Sequence, residues 1–219
     1  MSIVCSKASA PTYRDWRAAL RILQYLRSTC EVGLKFTTPR DRSATGVSLT
    51  AYADSSLAPD WQQGDGYSVT GYVLYLGGGP VLWYSAKQTA VAKSTGESEF
   101  RALSACTSDV VWLRGLLAEL GFVQSTPTLV YEDNQGTLGM ATAELLSRRT
   151  RGIVLECAYV RDALRRGIIR PYFCSSEHML ADGLTKILGR VLFDKHCAPL
   201  LGHAVHPVIL SPYEWSGQK

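Results

Sequence analysis

The stretch Ser94-Thr95-Gly96-Glu97-Ser98-Glu99-Phe100-Arg101-Ala102-Leu103 opens the longest periodic segment of the chain. From Leu103 the apolar residues Cys106, Val110, Leu113, Leu117 and Leu120 recur at spacings of 3, 4, 3, 4 and 3. That is the pattern of one buried helix face, so Ser94 to Gly121 is expected to be a single long helix closed by the glycine. Four residues back from Leu103 stands Glu99, which therefore lies on the buried stripe. Glu97 is two residues earlier, about 200° around the helix, and should face elsewhere.

Strand-like segments precede this helix at Val47 to Asp54, Ser68 to Leu76 and Val81 to Ser85. The last two are joined by Gly77-Gly78-Gly79-Pro80, which lacks the spacing and following helix of a phosphate-binding loop and reads as a hairpin turn. Beyond the helix come a short strand to Asp133, a helix with Asn134 as N-cap, a helix from about Ile153 to Arg166 and the strand Ile168 to Phe173. Final helices are expected near Ser176 and Gly189. Strands separated by helices in this second half should pair in parallel with the first strand. The chain is thus of the α/β class. Ahead of it, Tyr13, Trp16, Leu20, Leu23 and Leu26 mark a helix behind Pro11-Thr12. The turn-rich stretch Thr37 to Ser43 then separates that helix from the rest, giving segments 1–42, 43–202 and 203–219.

Four acids sit where a carboxylate is awkward. Asp54 ends the apolar run from Val47, Asp133 ends Thr128 to Glu132, Glu99 is on a buried stripe, and Asp182 interrupts Met179-Leu180-Ala181-Asp182-Gly183-Leu184. Converging carboxylates repel one another unless cations hold them, so the set points to a divalent-metal site and phosphate chemistry. Three of the acids also have a plain structural reading. Asp182 and Lys186, four apart on a helix, would form a surface ion pair worth ~0.3 kcal/mol. Asp133-Asn134 would be a turn and cap, and Asp54-Ser55-Ser56 a strand end.

Composition narrows the classes. Hydrophobic residues are 46% and charged residues 19% of 219, which is globular. No apolar run reaches the ~18 residues of a membrane span, and the first residues lack the apolar core of a secretory signal. Six well-separated cysteines form no Cys-x-x-Cys and no zinc spacing. They read as reduced thiols in an intracellular protein, with Cys106 and Cys174 buried. Between Arg148 and Arg170 seven arginines face two acids, Glu156 and Asp162, either a solvated helix face or a footprint for phosphate backbone.

Several motifs in order carry a resemblance. Tyr52-Ala53-Asp54-Ser55-Ser56, Ser94 to Leu103, Tyr131-Glu132-Asp133-Asn134-Gln135 and Leu180-Ala181-Asp182-Gly183-Leu184-Thr185-Lys186 resemble the ribonuclease H domain of Ty1/copia-type retrotransposon Pol polyproteins. Ser68 to Val73 and Trp83-Tyr84-Ser85-Ala86-Lys87-Gln88 fit the same pattern. Trp16 to Thr29 looks like the end of the reverse transcriptase upstream, a thumb- or connection-like helix. The resemblance implies a ribonuclease H-like fold, a five-stranded mixed sheet flanked by helices. It implies hydrolysis of the RNA strand of an RNA–DNA hybrid, leaving a 3′-hydroxyl and a 5′-phosphate. Asp54, Glu99, Asp133 and Asp182 would be its catalytic and metal-binding residues, holding two Mg²⁺ ions for which Mn²⁺ can substitute. Asp54 would be shared by both ions, Asp182 would belong to the one that activates water, and Glu99 and Asp133 to the other. The partners implied are the hybrid and the reverse transcriptase of the same polyprotein, in the cytoplasmic particle or the nucleus.

Lys87, Gln88, Asn134, Arg149 and Arg151 are expected contacts to the hybrid. Trp16 and Trp83 read as core residues rather than base-stacking platforms, and His178 as a solvent-exposed residue at a helix start. The chain departs from the family where members read Arg-Thr-Lys-His-Ile-Asp-Ile-Arg-Tyr-His. Here that stretch is Arg149-Thr150-Arg151-Gly152-Ile153-Val154-Leu155-Glu156-Cys157-Ala158, and the usual proline after Leu-Thr-Lys is Ile187. These departures leave the four carboxylates intact. They also keep open a second reading, a non-cutting fold remnant that binds nucleic acid or supports a polymerase. A transposase-type relative is disfavoured, because such enzymes use three carboxylates at other spacings.

Overall fold

Alternation along the first strand sorts its residues to two sides. Ala51 and Ala53 pack with Phe100, Leu103 and Val130, whereas Tyr52 packs with Val73, Tyr131 and Leu180. Two apolar layers therefore cover one sheet, as period-2 alternation requires. These features come from a computed structural model that describes residues 4–5, 7–36, 48–58, 66–143 and 148–203, with backbone alone at 148–150.

The elements run α1 (Tyr13–Ser28), β1 (Leu49–Ser56), β2 (Val69–Leu76), β3 (Gly79–Lys87), α2 (Thr95–Glu119), β4 (Thr128–Glu132), α3 (Gln135–Thr142), α4 (Val154–Arg165), β5 (Ile169–Phe173), α5 (Asp182–Thr185) and α6 (Arg190–Leu200). Single 3-10 turns cover Arg148–Ile153 and Ser176–His178. The strand order is β3-β2-β1-β4-β5. β2 is antiparallel to both β1 and β3, while β4 is parallel to β1 and to β5. This is the five-stranded mixed sheet expected from the resemblance, with the parallel pairing assigned to the second half. The helix expected near Ser176 is instead a three-residue 3-10 turn, since Met179 and Leu180 turn inward to be buried.

Local chemistry accounts for the helix ends. The Ser94 side chain accepts the Glu97 amide to start α2, and Asn134 accepts the Thr137 amide to start α3, each satisfying a donor that the first turn leaves unpaired. The buried face of α2 includes Leu103, Cys106, Val110, Leu113 and Leu117, the stripe read from the sequence. Leu120, at the end of that stripe, is exposed. On the other face, Tyr52 stacks on Tyr131 at 4.7 Å and meets Tyr75 edge-on at 5.9 Å, each pair worth about 0.5–1.5 kcal/mol beyond burial.

Met1–Leu34 and Lys35–Lys219 form separate compact units. The boundary expected at residue 42 and the tail from residue 204 lie outside the described residues. Within the first unit, Thr12 and Asp15 form a reciprocal capping box on α1. Trp16 is 59% exposed, and in the second unit Trp83 is 56% exposed, so neither is the core residue that its size led us to expect. Trp83 lies on β3, an edge strand, where half the side chains have no layer to cover them.

One close approach ties the α5 layer to the sheet. A Cβ added at Gly71 of β2 would lie 2.5 Å from Thr185 Cγ2 and 2.9 Å from Leu184 Cβ. Gly71 pairs with Asp54 across β1 and β2, so the missing side chain lets α5 settle beside that aspartate. Gly71→Ala should lower the unfolding free energy in urea by about 1–3 kcal/mol, as overpacking does. Gly115→Ala, in α2 with open space around it, should stabilise by roughly 0.5–1 kcal/mol.

Candidate metal centre

The parallel register of β1 and β4 pairs Tyr52 with Tyr131, and two residues further on each strand stands an aspartate. Asp54 and Asp133 are thereby brought alongside each other at the carboxyl ends of two central strands. From the first turns of α2, Glu99 reaches the same place, its Oε2 accepting the Ser55 amide at 2.6 Å. Asp54, Glu99 and Asp133 each present an oxygen within 4.8 Å of the other two. Asp54 is 0% and Glu99 3% exposed.

The fourth acid joins from α5. Asp182 stands outside that group of three and connects to Asp54 through a lysine. The Lys186 Nζ lies 2.6 Å from Asp182 Oδ1 and 3.2 Å from Asp54 Oδ1. Thr185 Oγ1 donates to Asp54 Oδ2. The pair of Asp182 and Lys186 is thus more than a surface pair, because a buried aspartate from the sheet completes it. Asp133 is further held by Ser176 Oγ at 2.8 Å.

Burial raises the carboxyl of Asp54 to about 6, against the opposing pull of Lys186 and Thr185. Glu99 is pushed up to about 8, first by burial and then by the charges of Asp54 and Asp133. A third acid responds the same way, and the sequence reading missed it. Glu132 has no exposed surface and its carboxyl is raised well above the ordinary range, by burial and then by Glu99 and Asp133. Its Oε1 accepts the Asn134 amide at 3.2 Å, while its buried Oε2 has no hydrogen-bond partner. Strand parity was the available signal, since Glu132 shares a face with Val130, which is packed in the α2-side core.

Such a set of oxygens suits a hard divalent cation, which binds carboxylates and relieves their repulsion. The donor chemistry, the three-way 4.8 Å grouping and the ammonium already drawn to Asp54 and Asp182 all fit a cation site.

The other expected residues fall in different places. Glu97 faces away from the group, as helix phase requires, but it is buried. It pairs with Arg101 at 2.8 Å and accepts the Lys93 amide. A Cβ at Gly152 would come within 2.9 Å of Glu97 Oε1. Gln88, one of the expected hybrid contacts, is turned inward. It is buried, and its amide donates to Thr70 Oγ1 and the Ser98 carbonyl, so its donors tie β2 to α2. Lys87 and Arg151 are exposed and Asn134 is half-buried beside the carboxylates. Arg149 lies in the 3-10 turn 148–153, and its side chain is outside the described residues. His178 is half-buried rather than solvent-exposed, its Nδ1 2.9 Å from Ser175 Oγ. Among the described residues no cysteine is in a disulfide, and Cys106 and Cys174 are buried as expected.

The raised carboxyls have a consequence for the metal-free protein. Glu99 keeps its proton in the folded state up to about 8 but would release it near 4.5 when unfolded. Between those values the folded state binds more protons, so stability falls as pH rises. Melting in chelator should show Tm dropping by roughly 5 °C or more from about pH 5 to pH 8. Glu99→Gln should flatten that drop.

No protein-family model matches the chain. It is 35% identical over 183 residues to the retrovirus-related Pol polyprotein from transposon RE2 of Arabidopsis thaliana, covering 84% of this chain and 12% of that protein. It is 32% identical over 190 residues to the Pol polyprotein from transposon RE1 of the same plant, covering 87% of this chain and again 12% of the relative. Among solved structures, an RNase H1 isolated from compost aligns at TM-score 0.49 and 15% identity, covering 68% of this chain and 98% of that one. Among the described residues no helix is long and apolar enough to cross a membrane. The chain spans about an eighth of the length of these two Pol polyproteins, and it belongs, as one segment, to the retrovirus-related Pol polyproteins of copia-type transposons.

Proposed function

We propose that this segment is a metal-dependent endonuclease that hydrolyses the RNA strand of RNA–DNA hybrids during reverse transcription. The observation that carries the reading is the meeting of Asp54, Glu99 and Asp133 within 4.8 Å, with Asp182 one ammonium away. Family membership supports it, and the chemistry of the set suits it. Two Mg²⁺ ions, or Mn²⁺ in their place, would supply activation of water and stabilise charge on the leaving oxygen.

The protein's own residues do the holding. Asp54 is common to the Glu99–Asp133 side and the Asp182 side, which suits it to be shared between two ions. Ser55, Ser176 and Thr185 orient three of the carboxylates, and such support keeps ligands in position for a cation. The cleft beside them is lined by Ser56, Leu57, Asn134, Gln135 and Gly136, and a phosphodiester would enter there. Lys87, Asn134, Arg149 and Arg151 would meet the hybrid's backbone. In this reading the segment works downstream of a reverse transcriptase in the same polyprotein, inside the cytoplasmic particle or the nucleus.

A labelled RNA–DNA hybrid incubated with the chain and Mg²⁺ or Mn²⁺ should be cut in its RNA strand, leaving 3′-hydroxyl ends. Asp54→Asn should slow cutting by roughly 10²–10³-fold or more while leaving hybrid binding in place. Binding without cutting in either metal would instead establish the non-cutting remnant.

A further inference from the structure

Lys186 stands where its charge has two claims on it. It caps the end of α5, its amide donating to the Asp182 carbonyl at 2.9 Å, which puts both side chains on one face, one turn apart. Its ammonium bridges Asp182 Oδ1 at 2.6 Å and Asp54 Oδ1 at 3.2 Å. The other oxygen of Asp54 is taken by Thr185 Oγ1. Both oxygens of this fully buried carboxylate are therefore already engaged from the end of α5. Removing one partner of a buried pair leaves an uncompensated charge, which is strongly unfavourable. The metal-free site consequently depends on the lysine.

We propose that the Lys186 ammonium is the resident cation of the metal-free site, and that a divalent ion engages Asp54 and Asp182 only by displacing it. The inference rests on the reading of the four acids as metal ligands. Lys186 is 36% exposed in its side chain and lines the open edge of the cleft with Glu99, Asp133 and Asn134. It can swing into solvent without disturbing the core. A divalent ion at the same two oxygens would repel an ammonium left within a few ångströms. Lys186 is thus a positioning residue with two opposed effects: it holds the carboxylates ready, and it raises the metal concentration needed to occupy them.

The test uses the full chain at about pH 8. Mn²⁺ binding is followed by the electron paramagnetic resonance of the free ion, and melting is recorded with and without Mg²⁺. Lys186→Met should melt lower than wild type in chelator, yet bind Mn²⁺ roughly tenfold more tightly, equivalent to about 1.4 kcal/mol. Its Mg²⁺-induced rise in Tm should also be larger. Lys186→Arg, keeping the charge, should restore both properties to near wild type. Tightened binding is a gain that structural damage would not produce. If wild type binds Mn²⁺ and Lys186→Met binds it no more tightly, the inference is overturned and the lysine is only a structural partner. If neither wild type nor Lys186→Met binds, the metal-ligand reading itself fails. Should only Lys186→Met bind, the resident cation is confirmed in its strongest form. If Lys186→Met does not fold in chelator, Lys186→Gln is measured the same way, and an affinity at or below wild type again overturns the proposal.

Discussion

A carboxylate with no exposed surface sits at the end of the central strand, and the surrounding structure answers to it. Asp54 lies on β1, flanked by β2 and β4 and covered by α5. Water cannot reach it, so its charge must be met by protein groups or neutralised by a proton. Three devices meet it. Gly71 has no side chain, which lets α5 approach; Thr185 donates to one oxygen; Lys186 gives its ammonium to the other. None of these works without the others, since the threonine and lysine arrive only if the glycine allows the approach. The sheet register, the small residue and the polar end of α5 thus form one arrangement.

Glu99 and Glu132 extend the same problem to the α2 side of the sheet. Neither is given a cationic partner among the described ion pairs. Both respond by holding their protons, with Glu99 raised to about 8 and Glu132 pushed well above the ordinary carboxyl range by burial. A fold that buries several acids against one another is less stable without a counter-ion than with one. Anything that binds only the folded state then adds its binding free energy to stability. A cation bound among these acids would couple its affinity to fold stability, and removing a carboxylate would relieve repulsion while taking away one oxygen donor.

Much of this was legible in the chain, because periodicity reports direction. The 3-4 spacing of α2 placed Glu99 inward and turned Glu97 elsewhere, and the structure has both directions. Periodicity does not report what waits on the other side. Glu97 is buried because Arg101 and the 3-10 turn before α4 cover it, contacts that depend on tertiary packing. Glu132 was readable by strand parity, since it shares the buried face of Val130. Size misled at Trp16 and Trp83. Apolar bulk indicates burial only where a second layer exists, and Trp83 projects from an edge strand. Gln88 lies beside an exposed lysine yet turns inward, its amide joining the Thr70 hydroxyl of β2 to the Ser98 carbonyl of α2, a placement that depends on tertiary packing.

The departures from the family pattern divide along the same geometry. Gly152 lies against Glu97, not against any of the four acids. A larger side chain there would crowd Glu97 Oε1, so the glycine and the pairing of Glu97 with Arg101 belong together. Ile187 follows Lys186 but is 85% exposed, and a change there removes little packing. Gly152 and Ile187 thus fall outside the shell of Gly71, Ser55, Ser176, Thr185 and Lys186 that orients the four acids. Electrostatic sites lose function through displacement of their ligands more readily than through changes elsewhere, because fields depend on position. A chain that varies at Gly152 and Ile187 while retaining this shell keeps the hydrogen bonds that orient its four acids.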